Sequence, residues 1–122
     1  MSPEHRAALA RAKARLDRLD LYPAPVRVDR VRIVVAPWFF RLPLLRRYHG
    51  YCLIRTILLR RRDSSDDLIT HELVHVWQQQ HHPLRMPLSY LRHGYRGNPY
   101  EAEARAAVQA TRESAVPGTA RS

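Results

Sequence analysis

The stretch that most constrains this chain runs from Asp63 to Gln80, DSSDDLITHELVHVWQQQ. Short polar side chains at its start can cap free N–H groups, and the acids there suit the positive end of a helix dipole. Neither glycine nor proline follows until Pro83, so a helix is expected from about Asp66 to Gln80. On such a helix Ile69, Leu73, Val76 and Trp77 make one apolar stripe for a core, and Leu68, His71, Glu72 and His75 a second, mixed stripe beside it. A helix faced on two sides in this way needs a core on one and a site on the other. The residues His71-Glu72-Leu73-Val74-His75 say what kind of site. Histidines four apart lie about 40° apart around a helix and one turn removed, so both imidazoles reach one ion, while Glu72 points to the adjoining position where water would sit. The competing reading makes both histidines satisfied polar residues of a half-buried helix and Glu72 a surface charge.

Only Cys52 among the 122 residues is a cysteine, which removes an intrachain disulfide and any cysteine-based metal knuckle. Any metal must use histidine and carboxylate. The length suits one domain, expected over residues 1–113 with a flexible tail over 114–122, and is too short for a second module. An apolar fraction of 45% with 26% charged residues excludes a wholly disordered or collagen-like chain. The longest apolar stretches are broken by Pro37, Arg41 and Pro43 well short of the ~20 residues that a membrane-spanning helix needs. The N-terminus shows no basic tip followed by an apolar run, so cytoplasmic residence is the expectation. The formal net charge of +10 is almost wholly arginine, Lys13 being the only lysine. Such a balance permits salt-sensitive binding to nucleic acid or to an acidic protein, but names neither. Oligomeric state leaves no signature.

The remaining elements follow from periodicity and punctuation. Ala8, Leu9, Ala12, Leu16 and Leu19 recur at helical spacing between Pro3 and Leu21. A β-branched run from Val26 to Val35, with an irregularity near Asp29-Arg30, reads as a strand ended by Pro37. Residues 38–49 read as a loop. There Trp38, Phe39, Phe40, Leu42, Leu44 and Leu45, with Arg41, Arg46 and Arg47, form a substrate wall, a membrane-surface contact or a core covered by loop. Residues 51–59 are apolar on both faces, as a strand or tight hairpin. Residues 83–97 read as a Pro-, Gly- and Tyr-rich loop, and Asn98-Pro99 opens a last helix over about 100–113. The fold class is therefore α+β: an N-terminal helix, a short sheet, the histidine helix and a glutamate-bearing helix.

Zinc needs a third protein ligand and an open position. His81 stands about 120° from His75 and a turn and a half away on an unbroken helix, out of reach. Glu101, at the start of the last helix, is the preferred candidate, although three residues after Asn98 it also suits a capping box. Glu103 is the alternative. Together Asp67 to Gln78 and Asn98 to Ala104 resemble the small bacterial gluzincin-type zinc metallopeptidases and metallopeptidase-like domains; the two blocks cover about a sixth of the chain. The resemblance implies a zincin-like domain with one zinc per chain, and a third ligand that is the first glutamate of a Glu-x-x-Ala helix, here Glu101 and Ala104. The family follows that alanine with an aspartate that supports a histidine ligand; this chain has Arg105. The resemblance also implies a strand before the histidine helix, matched by residues 51–59, along whose edge an extended peptide lies.

The expected chemistry is amide hydrolysis of a peptide or protein, with zinc on His71, His75 and Glu101 acidifying water and Glu72 as general base. Tyr90, His93, Tyr95 and Tyr100, in or beside the loop between the two blocks, are candidate donors to the oxyanion. The rival is a non-catalytic binding module that uses the basic surface. The missing aspartate and the charge favour it; Glu72 opposes it, because a structural zinc site has no use for a general base.

Overall fold

The computed structural model describes residues 1–53, 55–94 and 97–115. Four helices and a three-stranded mixed sheet make an α+β arrangement, as the sequence leads one to expect. Helix α1, Pro3–Leu16, begins at Ser2, whose side chain accepts from the His5 N–H, and buries Ala8, Leu9, Ala12 and Leu16. It stops short of Leu21. The Leu19 N–H bonds to the Leu16 carbonyl, and the turn lets Leu19, Leu21 and Tyr22 pack on the core. Strand β1, Arg32–Val35, is likewise shorter than its apolar run. The Val31 N–H closes a turn onto the Val28 carbonyl across Asp29-Arg30, which takes residues 26–31 out of the ladder.

Strands β2, Gly50–Leu53, and β3, Thr56–Leu59, form the tight hairpin. The sheet order is β1-β3-β2, with β1 parallel to β3 in the register Ile33↔Ile57 and β2 antiparallel in the register Cys52↔Ile57. The strand just before the histidine helix, β3, is therefore internal, and β1 and β2 are the edge strands. One face of the sheet, with Ile33, Ile57 and Leu59, joins the core of the helices. Leu58 on the other face packs with Ala36 and Phe40. This explains why residues 51–59 are apolar on both faces. Of the aromatic-basic cluster, Phe40 is thus core under a loop, whereas Trp38 and Leu42 are 65% and 50% exposed; the side chain of Leu44 lies outside the description.

Helix α2, Asp66–His81, opens at Ser65, whose hydroxyl accepts from the Leu68 N–H. It lies at the centre of the molecule with Ile69, Leu73, Val74, Val76 and Trp77 in the core, packed by α1 on one side and by α4, Pro99–Ala115, on another. Helix α3, Arg85–His93, occupies the segment that the sequence reads as loop. Its proline is the reason for the difference: Pro87 falls in the first turn, where backbone N–H groups have no partner within the helix, so it breaks nothing. The chain leaves α3 at Gly94, whose φ of +69° favours glycine. Buried Asn98 then ties the two helices together, its Oδ1 capping the Tyr100 N–H at 2.8 Å and its Nδ2 donating to Ser89 Oγ and the Gly94 carbonyl. The tail expected from residue 114 lies outside the described residues from 116 onward. No helix among the described residues is long and apolar enough to cross a membrane.

Candidate metal centre

His71 and His75 project from successive turns of α2, their ring centroids 4.9 Å apart and their planes nearly perpendicular. The first turn of α4 brings Glu101 against both. Its Oε1 lies 2.9 Å from His71 Nε2 and its Oε2 2.8 Å from His75 Nε2, with only 2% of the residue exposed. One ligand atom from each of the three residues falls within 4.8 Å of the others. The Glu101 carboxylate thus turns to the histidines and to Tyr90, whose hydroxyl donates to Oε2 at 2.7 Å.

The other candidates lie elsewhere. His81 stacks on Tyr22 at 4.8 Å and its Nδ1 donates to the Trp77 carbonyl. Glu103 accepts from Tyr22 and from Gln78 and is not among the three residues grouped here. Of the three oxyanion candidates among the described residues Tyr90 touches the cluster, whereas His93 is exposed and the Tyr100 ring lies against His82; Tyr95 is outside the described residues. Arg105 is exposed and supports no histidine.

Gln78 is the residue that sequence reasoning missed. It is fully buried, with its amide N–H groups donating to the Tyr100 carbonyl at 2.8 Å and to Glu103 at 2.9 Å. Both partners are acceptors, so its Oε1 faces His75 Nδ1, 2.8 Å away, and accepts a hydrogen bond from the Nδ1–H. The Nε2 lone pair of a neutral His75 then points at the cluster, as a metal ligand requires. The available signal was position: Gln78 is three residues beyond His75, on the same helix face.

Electrostatics follow from burial and pairing. Burial opposes the charge on Glu101, yet hydrogen bonds from His71 and His75 hold its carboxyl well below the usual range. Burial also works against a charged His75, but the hydrogen bond to Glu101 and the nearby Glu72 raise its pKa on balance. Burial pushes Glu72 up, only partly offset by His75 and His71. Two histidines and one carboxylate are a donor set that zinc takes. A fixed His75 tautomer and a buried, ionised Glu101 fit that ion.

Glu72 is 5% exposed and lies against Gly50 of β2. A Cβ at Gly50 would come within 3.3 Å of the Glu72 side chain and 3.2 Å of Leu68, so glycine lets the strand pass this close. Two clefts meet there, sharing Tyr48, Gly50 and Glu72. The larger, about 720 Å³, reaches His75, Glu101, Tyr90, Met86 and the β2 edge; the other, about 510 Å³, opens past His71 toward Arg47, Arg105 and Arg112. Against known proteins, no family model matches this chain, and no curated protein or solved structure does.

Proposed function

We propose that this chain is a zinc-dependent metallopeptidase that hydrolyses peptide bonds in the groove formed by the two clefts. The observation that carries this reading is the buried Glu101 carboxylate set between His71 and His75, with Glu72 beside it at the floor of an open groove. His71, His75 and Glu101 would hold one zinc ion, which would supply Lewis acidity to a bound water and an amide carbonyl. Glu72, whose pKa burial raises, accepts the proton of the attacking water and delivers it to the leaving amine. The Tyr90 hydroxyl, already beside Glu101, donates to the oxygen that gains charge as the carbonyl becomes tetrahedral. Gln78 holds the His75 ring. The substrate is an extended peptide or protein segment, which the free β2 edge along the larger cleft suits. A lone cysteine suits a reducing, cytoplasmic setting.

Glu72→Gln separates this from a binding module. The account expects zinc retained at wild-type stoichiometry and peptide hydrolysis lowered roughly 10²–10⁴-fold, measured as new amino termini released from a peptide library. Hydrolysis unchanged in the variant would remove Glu72 from the chemistry.

A further inference from the structure

The two clefts that meet at Glu72 differ in chemistry. Among the described residues the larger is lined by no arginine or lysine; Leu53, Met86 and Tyr90 set its character. The smaller is walled by Arg105 and Arg112 from α4 and by Arg47 from the segment leading into β2. Asp67 also lies there, but two guanidinium groups already occupy it, Arg15 at 2.8 Å and Arg112 at 2.7 Å. Arg47 and Arg105 are exposed and have no hydrogen bond or ion pair among the described residues. The groove therefore presents two unpaired cations in one half, which His71 and Glu72 also line, and largely apolar described surface in the other.

Resting on the hydrolase reading, we infer that Arg47 and Arg105 bind a carboxylate of the substrate, so that the peptides cut carry an acidic side chain or a free C-terminus on one side of the scissile bond and an apolar residue on the other. A guanidinium group presents paired N–H donors that match a carboxylate, and two of them lining the same cleft favour its charge there. A polyanion such as nucleic acid fits less well. Among the described residues it would find cations in one half of the groove, and in the other half a largely apolar lining that also holds the Glu72 and Glu101 carboxylates.

The test uses the full chain loaded with zinc and a randomised decapeptide library in two forms, C-terminal amide and free acid, with cut sites read by mass spectrometry. Asp or Glu enriched roughly fivefold at a fixed position on one side of the cut, in the amide library, identifies an acidic side chain as the ligand. Cuts confined to the free-acid library at a set distance from its end identify the C-terminal carboxylate. Either preference should vanish in Arg105→Glu and fall in Arg47→Glu, both surface changes, with zinc content unaltered. Cleavage with no carboxylate preference, or a preference that survives both substitutions, overturns the inference and leaves the hydrolase reading standing. No cleavage of either library by fully zinc-loaded protein overturns both.

Discussion

Gln78 supports His75 from the histidine's own helix, and Glu103 and Tyr100 hold the supporting amide in turn. Glu103, an alternative ligand on sequence grounds, thus belongs to the support. Gln78→Leu should weaken zinc binding about 10- to 100-fold in competition with a chromophoric chelator, the range found when a hydrogen bond to a ligand histidine is removed. It leaves the Tyr100 carbonyl without this donor and His75 Nδ1 without this acceptor, while Glu103 keeps Tyr22, so a stability loss of about 1–3 kcal/mol accompanies it. An affinity equal to that of the wild type would show that Gln78 only fills space.

At the level of elements, what was legible in the sequence was what local chemistry controls. The cap at Ser65, the two stripes and the unbroken run to Pro83 located α2 within a residue, and the arginine-separated alanines and leucines located α1 to its fifth buried position. The hairpin was legible as an option. Helix α3 was hidden because Pro83 and Pro87 read as breakers, although a proline in a first turn breaks nothing. The proximity of Glu101 to the histidines depends on α4 packing across α2, and the Asn98 side chain sets that angle through contacts to α3 that no local pattern announces. Asn98→Ala removes the cap and the part-buried bonds to Ser89 and Gly94, and should cost about 1–3 kcal/mol in urea unfolding. A cost below a few tenths would mean that α3 and α4 are held by packing alone.

For the molecule as a whole, the buried cluster makes stability depend on pH in the absence of metal. Glu101 is depressed, so its contribution is present above the unfolded carboxylate value of about 4.3 and is lost as pH falls through its folded value. His75 is raised, so its contribution is complete below about 6.5 and is lost as pH rises through its folded value; Glu72, raised by burial, costs stability progressively as pH rises above about 4.3 through its folded value. The metal-free chain should therefore have its highest Tm in mildly acidic solution, between about pH 4.5 and 6.5, in thermal scans from pH 3 to 9 with a chelator present. Zinc reverses the alkaline limb, because it binds the deprotonated histidines. A Tm that climbs steadily to pH 8 without metal would contradict the coupling of these groups.

The claim on which everything else rests is that His71, His75 and Glu101 hold one metal ion. The direct measurement is zinc content by elemental analysis of wild type and Glu101→Ala, purified without added metal and without a histidine tag. The account predicts one zinc per chain in the wild type and a sharp loss in the variant. Full zinc in Glu101→Ala would place the third ligand elsewhere, and no zinc in the wild type, even after zinc is supplied, would contradict the account.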